Sequence, residues 1–308
     1  MTTSTPAPLW ALVLAGGDGT RLQPLTRLIT GAPIPKQYCR LLGERSLLEE
    51  TLARIAPLVP AARTLAVVNS NHLPLASTQL SPLPARNVIV QPQNRDTGPG
   101  LLLPLLALAR RAPDATVAVF PSDHYVADPA AFRGYVRRAA DLVARDPDRI
   151  ALLGTNPEWA DPGYGYILPG TRVGSDAFTV RAFCEKPQPA LAEQVVARGA
   201  LWNCFVMVCR VDRLLALATA LRPRDVAALA VATTRGGDCS ALGTTYADLA
   251  AWNFSHDVLA HVTADLLVVR ARGIGWSDWG TVGAIERTLA TLGRTPPWRS
   301  GDRLAATA

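Results

Sequence analysis

Residues Leu12 to Lys36 read LVLAGGDGTRLQPLTRLITGAPIPK. A short apolar run breaks into Gly16, Gly17 and Gly19, and Arg21 follows closely. Glycines there let the chain turn with positive φ and bring bare N–H groups against a ligand, so the stretch reads as a phosphate or nucleotide loop at the carboxyl end of a strand. It is neither of the two commonest such loops. A P-loop would end in Gly-Lys-Ser/Thr, where this chain has Gly19-Thr20-Arg21, and a dinucleotide fingerprint would place a glycine where Leu22 stands. What remains is a glycine turn that delivers Arg21 and, further on, Lys36. Two cations aimed at one loop imply a polyphosphate substrate.

The chain around this loop has 308 residues, enough for one large α/β domain or two small ones, and 49% of them are apolar, which makes it globular. The longest apolar run, Leu101 to Ala109, is too short to cross a bilayer and contains Pro104. The amino terminus has no basic region before its apolar run, so it reads as a tail and first strand, not a secretion signal. Five cysteines (Cys39, Cys184, Cys204, Cys209, Cys239) without Cys-x-x-Cys spacing argue against a disulfide framework or a zinc site and for a reducing cytoplasm. The four histidines are scattered and read as structural, His124 set apart from the rest. The net charge of +6 is spread without basic runs, which disfavours nucleic acid and suits anionic metabolites. The only lysines are Lys36 and Lys186 among 31 basic residues. Arginine replaces lysine freely on a solvated surface but not where a compact ammonium must reach one oxygen, so both lysines read as functional.

In chain order, Leu9 to Ala15 is expected as a buried strand, followed by the loop and a long irregular connection through Pro24, Pro33 and Pro35. Ser46 and Glu49 form a capping box for a helix to about Ile55. Thr64 to Asn69, Asn87 to Gln91, Thr116 to Phe120 and Arg149 to Gly154 read as strands. Helices are expected after Thr97, with Pro104 costing about 3 kcal/mol in its interior unless it kinks, and from Pro129 to about Ala144. This alternation predicts an α/β fold with a doubly wound, mostly parallel sheet. Between Asn156 and Gly174 the Pro, Gly and Tyr content suggests excursions over the sheet's rim. Later strands are expected at Phe178 to Cys184, Asn203 to Cys209 and Asp265 to Arg270, and a last helix at Thr281 to Leu292. The expected organisation is one domain over 1–294, in two halves near 8–155 and 156–294, and a loose tail at 295–308.

The opening stretch, Leu14 to Leu25 with Pro35-Lys36-Gln37, resembles the signature of the sugar-phosphate nucleotidyltransferases, especially the mannose-1-phosphate guanylyltransferases. That resemblance implies a Rossmann-like nucleotidyltransferase fold with an inserted sugar-binding lobe, 8–155 being the nucleotide half and 156–294 the sugar half. It also implies that Leu14, Ala15, Gly16, Gly17, Asp18, Gly19, Thr20, Arg21 and Lys36 bind the nucleotide. The segment Arg95-Asp96-Thr97-Gly98-Pro99 is similar to the family's Arg-Asn-Thr-Ala-Pro, which lines a guanine pocket, with Asp96 and Gly98 departing from it. A helix cap explains Asp96 and Thr97 equally well. Pro121-Ser122-Asp123-His124 matches the family's Pro-x-Asp-His, whose aspartate binds catalytic Mg²⁺; alone, Asp123 would be a turn former.

Tyr164-Gly165-Tyr166-Ile167 resembles part of the family's sugar pocket, and Phe183-Cys184-Glu185-Lys186-Pro187 matches Phe-x-Glu-Lys-Pro, where the glutamate holds sugar hydroxyls and the lysine the sugar phosphate. Trp202-Asn203-Cys204-Phe205 begins like Trp-Asn-Ser-Gly, whose asparagine contacts the sugar, but puts a ring where the family has glycine. Trp276-Ser277-Asp278-Trp279-Gly280-Thr281 resembles the closing Trp-x-Asp-Val-Gly-Ser, whose aspartate is the second magnesium ligand, though a helix cap is the plainer reading.

Taken together the resemblance implies an enzyme that joins a nucleoside triphosphate, GTP foremost, to a sugar 1-phosphate, mannose foremost. Arg21, Lys36, Asp123 and Asp278 would be catalytic, with Asp123 and Asp278 the Mg²⁺ ligands, and Tyr164, Gly165, Glu185, Lys186 and Asn203 would bind the sugar phosphate. The expected partners are these small molecules, with no nucleic acid and no membrane; a homo-oligomer stays open. Two alternatives remain at this point: the same chemistry on another sugar or base, and a catalytically silent sugar-nucleotide sensor.

Overall fold

The structure, a computed structural model, describes residues 8–234 and 239–298. In chain order the elements are β1 (Leu9–Ala15), α1 (Gln23–Thr30), α2 (Leu47–Ile55), β2 (Thr64–Asn69), α3 (Leu73–Gln79), β3 (Val88–Gln91), α4 (Thr97–Arg111), β4 (Thr116–Pro121), β5 (Tyr125–Val126), α5 (Pro129–Arg145) and β6 (Ile150–Thr155). There follow β7 (Gly165–Arg172), β8 (Ala177–Glu185), α6 (Pro189–Ala197), β9 (Leu201–Arg210), α7 (Val211–Leu221), α8 (Pro223–Thr234), α9 (Cys239–Asp248), α10 (Phe254–Asp257), β10 (Leu266–Arg270), β11 (Trp276–Ser277) and α11 (Val282–Thr291).

A single sheet in the order β3-β2-β1-β4-β9-β6-β10-β8-β7 runs through both halves of the chain. Its first four strands are parallel, as is β6 with β10, whereas β9 lies antiparallel to β4 and β6, and β8 to β7 and β10. The expected α/β doubly wound arrangement is therefore parallel over β3, β2, β1 and β4 and mixed beyond them. Strands β7, β8 and β9 extend the main sheet. Both faces are covered, and side chains alternate between them with the period of two that a strand imposes. On β1, Ala11, Val13 and Ala15 pack with α2, α3 and α5, while Leu12 packs with the leucines of α4 and with α7 and α8.

Local signals set most boundaries. Ser46 accepts from the Glu49 amide at 3.1 Å while Glu49 accepts from the Ser46 amide at 2.7 Å, a complete capping box at the start of α2. Helix α4 continues through Pro104, because Leu101, Leu102, Leu103, Leu105, Leu106 and Leu108 are all buried on it and each buried leucine is worth about 1.5–3 kcal/mol, more than the lost hydrogen bond.

Three expectations are corrected. The connection after the glycine loop is not irregular throughout: Pro24 starts α1, where a missing N–H costs nothing. Residues 73–79, unassigned in the sequence, form α3, again with a proline in the first turn. The Pro-, Gly- and Tyr-rich stretch holds β7, a strand of the main sheet paired with β8 and β9. Of the expected tail, residues 295–298 are described, and Trp298 packs against the cluster of Leu22, Leu25 and Trp279; the remainder lies outside the described residues.

Candidate active site

The carboxyl ends of β1, β3 and β4 and the β7, β8 and β9 strands surround a cavity of about 560 Å³. One rim carries Leu14, Gly16, Gly17, Arg21, Asp96 and Thr97. Tyr164, Gly165, Glu185, Lys186 and Asn203 form the opposite rim, and Asp123 and Asp278 lie between. Ligands of open α/β sheets collect at this end of the strands.

The glycine loop is held from behind. Gln37 Nε2 donates to the carbonyls of Ala15 at 3.2 Å and Gly17 at 2.6 Å, and the Tyr38 hydroxyl donates to Ala15 at 2.7 Å. Among the described residues nothing accepts from the amides of Gly17, Asp18 or Gly19, so those donors remain for an anion. Gly19 has φ 59°, a conformation that L side chains resist, and a Cβ there would lie 3.1 Å from the Lys36 amide. Asp18 turns outward to accept from Asn94 Nδ2 at 2.9 Å, tying the loop to the turn before α4.

Lys36 is buried and spends its ammonium on the protein. It pairs with Asp123 Oδ2 at 3.2 Å and donates to the carbonyls of Asp278 and of Trp279, the latter at 3.0 Å. It does not line the cavity, and neither do Ala15, Asp18, Gly19, Thr20 or Arg95. The Arg95 guanidinium points to the carbonyls of Tyr246 at 2.8 Å and Ala247 at 2.9 Å, which fastens the Asp96 turn to the end of α9. Lys36 thus draws together two acids far apart in sequence. A two-stranded ribbon completes the arrangement: β5 pairs with β11, so that Asp123 just precedes one strand and Asp278 directly follows the other.

Burial alone would raise the Asp123 carboxyl, but the Lys36 ammonium and His124 outweigh it and hold the group below the ordinary carboxylate range. Burial likewise keeps His124 below its ordinary value, and the Trp276 indole N–H donates to its Nδ1 at 3.2 Å, which leaves Nε2 facing Asp123. Asp278 Oδ1 accepts from the Tyr164 hydroxyl at 2.7 Å and from the Gly280 amide at 2.9 Å. On the sugar side, burial raises the Glu185 carboxyl against the pull of Lys186, whose ammonium lies 3.6 Å away.

Four residues other than glycine have positive φ among the described residues, and all are at or beside this cavity: Asp96 (65°), Lys186 (46°), Phe205 (53°) and Trp279 (49°). Backbone strain of this kind persists where surroundings over-determine it, as at binding sites. Phe205 occupies the position where the family resemblance leads one to expect glycine, and its left-handed backbone shows why glycine fits there. Its amide donates to Asn203 Oδ1 at 3.0 Å, which leaves the Asn203 NH₂ as that side chain's free donor.

Gly98, the other departure, has a cause that sequence reading missed. A Cβ at that position would fall 2.2–2.4 Å from three atoms of the Trp252 ring, and the Gly98 amide donates to the Trp252 carbonyl at 3.0 Å. Trp252 carried no local signal of its role.

Fold and site together define an α/β protein with a large polar cavity at the carboxyl ends of its parallel strands. The chain belongs to the nucleotidyl transferase family, whose profile matches residues 10–293. It is 37% identical over 207 residues to the xanthan biosynthesis protein XanB of Xanthomonas campestris pv. campestris, covering 66% of this chain and 42% of that protein. It is 33% identical over 288 residues to the mannose-1-phosphate guanylyltransferase ManC of Salmonella typhimurium, covering 89% of this chain and 58% of that protein. A crystal structure from Thermus thermophilus, described as a mannose-1-phosphate geranyltransferase, superposes with TM-score 0.77 at 30% identity over 92% of this chain and 79% of that one. The chain spans about half the length of the curated relatives it matches.

Proposed function

We propose that this chain transfers a guanylyl group from GTP to mannose 1-phosphate, giving GDP-mannose and pyrophosphate. The observation that carries the reading is one cavity with a glycine loop and Arg21 on one rim, Glu185, Lys186 and Asn203 on the other, and two acids between them. Relatives named mannose-1-phosphate guanylyltransferase support the choice of substrates.

A phosphate oxygen of the sugar 1-phosphate attacks the α-phosphorus, a new P–O bond forms, and the α–β bridging P–O bond breaks to release pyrophosphate. No protein nucleophile takes part, so the work is positioning and charge neutralisation. Arg21 and the amide of Gly17 hold the triphosphate, and Lys186 holds the attacking phosphate. Glu185 and the Asn203 NH₂ offer an acceptor and a donor to sugar hydroxyls. Lys36 acts by bracing Asp123 against the Asp278–Trp279 backbone.

Asp123 and Asp278 fit a magnesium ion. They offer hard oxygen donors, Lys36 balances only one of their two charges, and Asp278 Oδ2 accepts no hydrogen bond from a described residue. When bound, the ion would neutralise charge on the phosphates. We place the enzyme in a reducing cytoplasm: Cys39, Cys184, Cys204 and Cys209 are free thiols, and no helix among the described residues is long and apolar enough to cross a membrane. Phe205 in the cavity wall favours one competing reading, the same transfer to another hexose or to a heptose 1-phosphate.

The test is magnesium-dependent pyrophosphate release with each of four nucleoside triphosphates crossed against mannose, glucose and heptose 1-phosphates. Release peaking with GTP and mannose 1-phosphate supports the proposal. A peak with another pair keeps the chemistry and moves the substrate, and silence from folded protein with every pair overturns it.

A further inference from the structure

Behind the ribbon that carries Asp123 and Asp278 lies a second cavity, of about 410 Å³, large enough for a small phosphorylated molecule. Four arginines line it: Arg45, Arg54, Arg133 and Arg294. Its one acidic lining residue is Glu50. None of the four guanidinium groups forms an ion pair with a described residue. Arg133 and Arg294 donate only to backbone carbonyls, of Arg54 and Leu42, and Arg45 makes no hydrogen bond to a described residue. Arg54 is only 8% exposed, and burial lowers its guanidinium to about 10, as expected of a buried cation short of counter-charge. Beside the arginines, the rings of Tyr125 and Trp279 stack at 4.9 Å and 7° and give the cavity an aromatic wall.

We propose that this cavity is a second ligand site, for a phosphate ester whose anionic group the arginines bind and whose ring packs against Tyr125. Guanidinium groups suit phosphate oxygens by geometry as well as charge, and an unpaired cluster around an open cavity is what such an anion would complete.

The site touches the elements that carry Asp123 and Asp278. Arg54 Nη2 donates to the His124 carbonyl at 3.0 Å, Tyr125 begins β5, and the Trp279 carbonyl is one of the groups held by Lys36. A ligand that presses on Tyr125 or recruits Arg54 therefore acts on the reverse side of Asp123 and Asp278. This regulatory consequence rests on the transferase reading; the binding itself does not.

The test uses the 308-residue chain labelled with 5-fluorotryptophan and observed by ¹⁹F NMR, with the Trp279 and Trp276 resonances assigned by Trp→Phe variants. Trp279 lines the rear cavity and Trp276 the front one, so each reports its own site. Inorganic phosphate, glucose 6-phosphate and cytidine 5′-monophosphate are titrated at a constant ionic strength of about 0.15 M. We expect a saturable shift of Trp279 that exceeds any shift of Trp276, with the esters binding more tightly than phosphate. In Arg45→Glu/Arg133→Glu the affinity falls at least about tenfold, the loss of charge-assisted contacts. The single variant Arg45→Glu, changed at an exposed and unbonded side chain, serves if the double variant does not fold.

Phosphate binding as tightly as the esters would make the ligand a free anion and overturn the ring contact. A response of Trp276 alone, or none from folded wild-type protein, would overturn the site. So would a Trp279 shift that follows protein concentration instead of ligand, which would mean that a second copy covers the cavity. In initial-rate assays, an ester effect present in wild type and absent in Arg45→Glu supports the coupling, and equal inhibition of both counts against it.

Discussion

Phe205 holds a left-handed backbone that costs a non-glycine residue about 1–2 kcal/mol, and its half-buried ring repays that by packing against the core. The balance predicts an unusual order of stability. Phe205→Ala keeps the strain and loses the ring, whereas Phe205→Gly loses both, so the glycine variant should melt higher than the alanine variant by about 1 kcal/mol in equilibrium unfolding. Both should change KM for the sugar 1-phosphate more than KM for the nucleotide; the opposite pattern would move Phe205 to the nucleotide subsite. Glu185 gives a pH signature. Because burial raises its folded-state carboxyl above its unfolded value, its protonated form is favoured by folding. Its stabilising contribution is full below the unfolded pKa, near 4.3, and is lost as pH rises through the folded value. Glu185→Gln should therefore flatten the fall in melting temperature above about pH 4.3, and a variant with an unaltered slope would show the group to be solvated. Asp278→Asn retains the hydrogen bonds from Tyr164 and Gly280 to Oδ1, so we expect the fold intact and turnover down by about 10²–10³. Full turnover would remove the two-acid site from the account.

The Asp96 turn and the α9–α10 connection meet through Gly98 and Trp252, and this contact shapes the nucleotide rim. Gly98→Ala forces a methyl into the indole, so about 1–3 kcal/mol of destabilisation is expected, together with a raised nucleotide KM. Trp252→Leu in the same chain should recover part of the loss, and a double-mutant cycle with no coupling would place the strain elsewhere. Such pairs mark the limit of reading by sequence. The capping box of α2, the apolar run of β1 and the acid after β4 were legible because each signal lies within a few residues of its effect. Helices α1 and α3 were hidden by prolines that look like breakers until they are seen in a first turn. β7 was hidden because Gly and Tyr mark turns when alone and strands when a neighbouring strand supplies the hydrogen bonds. Trp252 carried no signal at all, since its role exists only against Gly98.

Across the whole molecule, Lys36, Asp123 and Asp278 come from three distant parts of the chain, and only the assembled fold brings them to one point. The sequence showed their importance through the scarcity of lysine and the family's motifs, but it aimed Lys36 at the substrate. In the folded chain the ammonium is occupied by one carboxylate and two carbonyls, so its first task is to hold the acids in place before any ligand arrives. Lys36→Met tests this directly. It leaves Asp123 without its cation, a loss we expect at about 2–3 kcal/mol, below the cost for a fully buried pair because the Asp123 side chain is 30% exposed. Melting should fall by about 4–8 °C. If the two acids form one divalent-cation site, removing the competing ammonium should strengthen the metal's hold, and millimolar magnesium should raise the melting temperature of Lys36→Met more than that of wild type. An equal rise in both proteins would mean that the ion does not share Asp123 with Lys36. A rise that survives Asp278→Asn in the Lys36→Met background would mean that Asp278 contributes nothing to holding it.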